Sequence, residues 1–390
     1  MKHVIVIGGG VGGLSAAISL AQQGVQVTLC EAKGVVGGLA APLVAEGVRF
    51  DAGPYVLLDP DGLQHAFTAL GLDLGVLELQ KVESVYEVES PLGPPVRIEA
   101  NLAATVQWME RDHPGQGVKY QAFVEKVTRI HRALAPLQRE GRPSAWSLFK
   151  HGAFFQAPFL LRPLGQELER AGFSAPLRDA VGIWTHIAGQ RLDEAPSPLA
   201  LVPAMIHGPG CFVPRHGVSA VAEVVAERAL ALGVTVHTES AVRRILSSEG
   251  RVTGVELEWG DVLSADAVVS GASGVATLLE LADTPSPVKA EVAALPLQSP
   301  GVAAYLLAER PPSSGEPYLR FGLKPSDATA PCRLLVRPSV LPMAKRGKVA
   351  PTRVVAPLSH AVAQQLGAPG QHQLLDSVLR ERWVNSRVGP

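Results

Sequence analysis

The chain has 390 residues, and its 35 Lys and Arg against 36 Asp and Glu leave a formal net charge of −1. With that balance, and with no basic run interleaved with aromatics, composition argues against a nucleic-acid binder. Cys30, Cys211 and Cys332 stand isolated with no C-x-x-C, which argues against a dithiol redox centre or a thiolate metal site and points to the cytoplasm. Hydrophobic residues make up 47% and charged residues 18%, with a mean hydropathy of +0.18. The chain is long enough for a large core and two or three structural units.

The N-terminus reads "VIVIGGGVGGLSAAISLAQQGVQVTLCEA" from Val4 to Ala32. Lys2 and the apolar run after it imitate a secretion leader, but Gly8, Gly9, Gly10, Gly12 and Gly13 break the apolar stretch. A strand, helix and strand fit better. Val4 to Ile7 is a β-branched run suited to a buried parallel strand. Leu14, Ala17, Ile18 and Ala21 repeat at helical spacing, Gly24 closes the helix, and Val25 to Leu29 reads as a second strand. Gly8, Gly10 and Gly13 form G-x-G-x-x-G between them, and Glu31 follows Gly10 by 21 residues. Each part suits a dinucleotide. Gly8 permits the tight turn, Gly10 lets backbone approach a pyrophosphate, and Gly13 lets the helix pack on the strand. The helix N-terminus offers free N–H groups to phosphate. Glu31 can accept hydrogen bonds from ribose hydroxyls.

Next comes "AKGVVGGLAAPLVAEGVRFDAGPYVLLDP". Gly37 and Gly38 follow the acid, and Asp51-Ala52-Gly53-Pro54 follows a strand expected at Val48 to Phe50. An NAD domain has no use for a second glycine pair here, whereas a flavin has a longer body to cover, so FAD is the expected cofactor.

These stretches resemble the N-terminus of the phytoene desaturase and carotenoid isomerase family, a branch of the FAD-dependent amine oxidase superfamily. The resemblance resumes at "FVPRHGVSAVAEVVAERALALGVTVHTESAVRRILSSEGRVTGVELEWGDVLSADAVVSGAS", Phe212 to Ser273. The resemblance implies cofactor contacts at Gly8, Gly10, Gly12, Gly13, Glu31, Gly37, Gly38, Leu39, Gly53 and Pro54, and an adenine held by the backbone of Val242. It departs at Leu39, where the family carries Arg or Ser. It departs again at "LLDSVLRERWVNSRVGP", where the family has a glycine-rich segment over the flavin; weak FAD binding by this chain alone is the matching expectation.

The implied fold is α/β: a Rossmann-like FAD-binding domain, residues 1–75 and 214–281, with an inserted α+β substrate domain, residues 76–213 and 282–390. Within the insert, "VESVYEVESPLGPPVRIEA" reads as a hairpin, and Leu102 to Leu137 as helices around Pro114-Gly115. "REGRPS", residues 139–144, reads as a linker, and "GVAAYLLAER" and "CRLLVRP" as strands.

Trp146 to Phe173 is the most apolar part of the insert, with Phe149, Phe154, Phe155, Phe159, Leu160 and Leu161. Pro158, Arg162 and Pro163 leave it too interrupted to span a bilayer. Residues 146–164 are either a membrane-interfacial patch, with Lys150, His151 and Arg162 at the headgroups, or buried core. His186, His207 and His216 are candidates for the base that a flavin-dependent dehydrogenation would use. A structural role weighs more for each, and the residues name no catalytic group and no metal ligand. Three readings stay open: an FAD-dependent oxidoreductase or isomerase of an apolar, polyene-like substrate; an amine-oxidase-like flavoprotein with a polar substrate; and a shortened, non-catalytic flavoprotein-like binding protein.

Overall fold

The computed structural model describes residues 2–45, 47–187, 190–295, 297, 300–308, 315–323, 332–336, 350–358 and 360–380. The chain divides into two compact units. The first comprises Met1–Tyr55, Leu63–Leu79 and Pro214–Pro296; the second comprises Val56–Gly62, Gln80–Val213 and Leu297–Pro390.

The first unit is built on a four-stranded parallel sheet, in the order Ala267–Ser270, His3–Ile7, Gln26–Cys30, Thr235–His237. Val4 pairs with Val27 on one side and Ala267 on the other. A parallel sheet of this kind needs cover on both faces, which is why its central strands are apolar over residues 4–7 and, apart from Thr28, over residues 27–30. On one face Val6, Val27 and Leu29 pack with Leu14, Ala17 and Ile18 of helix Val11–Ala21 and with Val225 and Ala229 of helix Ser219–Ala231. On the other face Ile5, Ile7 and Cys30 meet Val255 and Leu257. These last two belong to a three-stranded antiparallel sheet of Val242–Ser248, Arg251–Leu257 and Val262–Ser264. Leu14, Ile18 and Leu29 are fully buried, and each contributes roughly 1.5–3 kcal/mol by leaving water. The later segment therefore completes the core begun by the first thirty residues.

The second unit carries a six-stranded mixed sheet. Its order is Gly301–Ala308, Ala350–Pro357, Cys332–Val336, Leu319–Leu323, Ser84–Glu89, Val96–Glu99. The expected hairpin is the antiparallel pair Ser84–Glu89 and Val96–Glu99. Tyr86 lies at its centre, fully buried, with Trp184 edge-on at 5.6 Å and Phe321 edge-on at 5.8 Å. Helices Leu102–Asp112 and Gln116–Gln138 flank the turn at Pro114-Gly115. Arg139–Ser144 links the second of them to the short helix Ala145–Lys150. Val56–Gly62 belongs here rather than with the nucleotide-type unit, because Leu57 exchanges two backbone bonds with Phe212 at 2.8 and 2.9 Å. Residues 282–296 stay with the first unit. The chain's last ten residues, to which the reading of its C-terminal end extends, lie outside the described residues.

Candidate cofactor site

The turn after His3–Ile7 is fixed by close backbone approach. A Cβ added at Gly13 would lie 2.0 Å from the carbonyl oxygen of Gly8, so no other residue lets this helix meet the strand. Gly10 precedes helix Val11–Ala21 as its N-cap; no side chain caps that end, and no acid sits in the first turn. Its leading N–H groups therefore keep their hydrogen-bonding capacity and the positive end of the helix dipole for an anion. Gly12 is exposed, and nothing lies within 4 Å of the position a Cβ would take.

Glu31 ends strand Gln26–Cys30 as a buried carboxylate, 7% exposed. Its Oε2 accepts the Gly9 N–H at 2.7 Å, and its Oε1 accepts the Lys33 N–H at 2.9 Å. Each oxygen retains a further lone pair, so the residue can brace the glycine loop and still accept from a ligand hydroxyl. The Glu31 main chain is held as firmly, donating to the His237 carbonyl and accepting from the Ser240 N–H, both at 2.8 Å. Ser240 brings the start of strand Val242–Ser248 to this end of the sheet, and Val242 packs against the cluster that contains Cys30.

The second glycine pair folds back over the first. Gly37 donates its N–H to the Gly9 carbonyl at 2.7 Å, and Gly10 and Gly37 form an isolated parallel bridge. Leu39 follows with 91% of its surface exposed. A Cβ on Gly53 would sit 2.0 Å from the Leu39 carbonyl oxygen, so the Asp51–Pro54 turn lies directly against this loop. Pro54 is exposed beside it. Gly8, Gly10, Gly12, Gly13, Glu31, Gly37, Gly38, Leu39, Gly53, Pro54 and Val242 all fall in the first unit. An uncapped helix end beside glycines that admit close approach, with a buried acceptor at the end of the second strand, fits the ADP portion of a dinucleotide.

Sequence reasoning missed the clamp that holds the third turn. Asp51 accepts the Val218 N–H at 2.9 Å on Oδ2 and the Ser219 N–H at 3.0 Å on Oδ1. It thereby caps helix Ser219–Ala231, which has no side-chain cap of its own. Arg49 adds a bond to the Ser219 hydroxyl at 2.6 Å and an ion pair with Glu223 at 2.7 Å. The available signal was an acid before Ala-Gly and a helix start at "HGVS" lacking a local cap; nothing local paired the two.

The three histidines divide between the two units. His207 lies in the second unit and His216, exposed, in the first. Of His186 only its place in the short helix Ile183–Ile187 is described. His207 is a brace: Nδ1 lies 3.2 Å from the Ala100 carbonyl and Nε2 2.9 Å from the Tyr120 hydroxyl. With Nδ1 donating, Nε2 accepts the phenol proton. Burial drives its pKa down to about 4, against a weaker opposing effect of the Ala100 bond, so the ring is neutral at pH 7. Burial likewise pushes the Cys30 thiol up to about 11 and Cys211 up to about 12, which leaves both inert at neutral pH.

In the second unit the apolar segment splits. Phe159 is buried, 4% exposed, whereas Trp146, Phe149, Phe154, Phe155, Leu160 and Leu161 are exposed. Among the described residues, no helix is long and apolar enough to cross a membrane.

Comparison with known proteins gives the family. The model for flavin containing amine oxidoreductases matches residues 11–315. The chain is similar to a zeta-carotene-forming phytoene desaturase of Myxococcus xanthus, 30% identical over 276 residues that cover 70% of this chain and 53% of that protein. It is similar to a 4,4'-diapolycopene oxygenase of a Methylomonas species, 28% identical over 294 residues that cover 73% of this chain and 58% of the relative. The chain thus spans little more than half the length of these curated relatives. Among solved structures, wild-type putrescine oxidase bound to putrescine shares the fold with a TM-score of 0.62 at 18% identity, over 97% of this chain and 81% of that one. A fatty acid isomerase from P. acnes shares it with a TM-score of 0.63 at 16% identity, over 97% and 82%. With a doubly covered parallel sheet, a glycine cradle and a family match over most of its length, the chain belongs to the flavin-containing amine oxidoreductases, and FAD is its cofactor.

Proposed function

We propose that the protein is an FAD-dependent oxidoreductase acting on an apolar, polyene-like substrate. The observation that carries the substrate class is the pair of curated relatives, both named for carotenoid chemistry, at 28% and 30% identity. FAD supplies an acceptor for a hydride equivalent taken from carbon.

Within this proposal the chain's own residues bind and orient. The free N–H groups at the start of helix Val11–Ala21 would hold the pyrophosphate, with Gly10 and Gly12 allowing contact and Gly13 letting the helix meet the strand. Glu31 accepts from the ribose hydroxyls, and the Val242 backbone borders the adenine. Gly37, Gly38, Leu39, Gly53 and Pro54 would line the body of the cofactor, with Asp51 fixing the last turn. Leu39 brings no charge to the pyrophosphate, so the helix end carries that task. His207, with both ring nitrogens already hydrogen-bonded within the fold, serves as a brace rather than as the base.

The exposed apolar segment supports a finer reading, peripheral contact with a membrane, where a polyene dissolves. Replacing Phe154, Phe155 and Phe159 by serine should release the protein from liposomes; the two exposed positions carry the test, because Phe159 is core and its loss costs stability.

One experiment tests the function. The purified protein is loaded with FAD and mixed anaerobically with a C40 polyene in liposomes or with a soluble polyamine. Bleaching of the oxidised flavin absorbance by the polyene alone is the expected result. Bleaching by the polyamine alone would favour the polar-substrate reading.

A further inference from the structure

The exposed apolar segment of the second unit sits inside an unusual distribution of charge. Residues 139–162 carry Arg139, Arg142, Lys150 and Arg162 against one carboxylate, Glu140, in a chain whose total is −1. The four cations are not equivalent. Arg162 donates to Glu167 at 3.0 Å, and Lys126, from outside the stretch, reaches the same buried carboxylate at 2.5 Å. Glu140 is taken up by the Ser147 hydroxyl at 2.6 Å. Arg139, Arg142 and Lys150 are exposed and have no carboxylate partner among the described residues.

The segment is also held in place. Phe159 is buried, and its carbonyl accepts the Ser197 hydroxyl at 2.7 Å. Glu167, 1% exposed, ties Arg162 to the helix that carries Lys126. Trp146 and Phe149 stack at 5.9 Å on the short helix, and Phe154, Phe155 and Leu161 stand 54%, 77% and 85% exposed beyond it. A fixed set of exposed aromatics close in sequence to guanidinium and ammonium groups that have no ion-pair partner among the described residues presents one chemistry. The rings suit the headgroup–acyl boundary, and the cations suit phosphate-level negative charge.

We infer that this face docks on a lipid surface that is anionic, and that Arg139, Arg142 and Lys150 select the anionic lipid while Trp146, Phe149, Phe154, Phe155 and Leu161 supply insertion. The inference rests on the interfacial reading of the same segment given above. Each basic side chain close to an anionic surface is worth roughly fivefold in partitioning, so the three together give up to about a hundredfold preference at low salt. At ~1 M salt the screening length falls to about 3 Å and the preference collapses.

The test is flotation of the full chain with phosphatidylcholine vesicles, with and without phosphatidylglycerol. Tighter binding to the phosphatidylglycerol vesicles, lost at high salt, is the expected result. The triple variant R139Q/R142Q/K150Q changes only exposed side chains and should bind both vesicles alike. The variant F154S/F155S/L161S should bind neither, with its far-UV circular dichroism unchanged. Equal binding of the unmodified chain to both vesicles would overturn the anionic selection and leave the interfacial reading standing. Binding to neither would remove both. Salt-independent self-association that F155S abolishes would assign the face to a second copy of the chain and would also overturn the inference.

Discussion

Replacing Glu31 by alanine separates the structural role of this residue from its role toward the cofactor. In the folded chain its two oxygens take the N–H groups of Gly9 and Lys33 at 2.7 and 2.9 Å, and the side chain is 7% exposed. A hydrogen bond to a charged group contributes about 1.5–3 kcal/mol, and the bond from Gly9 is buried, so its donor would be left unpaired. The Lys33 bond is only partly buried and counts for less. Keeping a carboxylate out of water offsets part of the sum. The apo-protein should lose about 2–3 kcal/mol, read as a lower urea midpoint at unchanged slope. If the remaining lone pairs also receive ribose hydroxyls, FAD affinity should fall by a further one to two decades, read by titrating flavin fluorescence on the folded variant. Unchanged affinity in a variant that has lost the expected stability would confine Glu31 to bracing the loop. Unchanged stability would refute the brace itself.

Other substitutions test the rest of the scaffold. Gly13→Ala places a methyl 2.0 Å from the Gly8 carbonyl and should cost about 3 kcal/mol or more, since ordinary overpacking already costs 1–3; a variant with an unshifted melting curve would contradict the close approach. Asp51→Ala removes the cap of helix Ser219–Ala231 and should cost about 1–2 kcal/mol in urea unfolding, with Asp51→Asn recovering part of it; equal losses for both would rule out capping by the carboxylate. His207 has a folded pKa near 4, below the ordinary 6.5, so its contribution is complete above about pH 6.5 and is lost as pH falls toward 4. The loss integrates to roughly 3 kcal/mol at most, and His207→Gln should flatten the stability profile across that window by up to one proton; an identical slope in the variant would show that the ring titrates normally.

The nucleotide-type architecture was legible because its signals are local. A β-branched run, glycines at fixed offsets, small residues at helical spacing and an acid at the end of the next strand lie within about thirty residues, each acting on its neighbours through backbone geometry. The glycine at position 13 is demanded by an oxygen five residues earlier, so one stretch of sequence contains both cause and effect.

What the sequence left open depends on partners far along the chain. Asp51 reads as part of a turn until the fold brings it against helix N–H groups 167 and 168 residues away. His186 and His207 both lie in apolar stretches. Tertiary contact with Tyr120 and Ala100 makes His207 a neutral brace, because burial there removes water and supplies a partner to each ring nitrogen. The phenylalanines are the plainest case. Phe154, Phe155 and Phe159 carry the same side chain, and composition assigns them together to core or to interface. Phe159 is buried, with its carbonyl tied to Ser197, while the other two are left in water. Hydrophobicity is a property of the residue, but burial is decided by which neighbours are close enough to displace solvent, and only the folded chain supplies those.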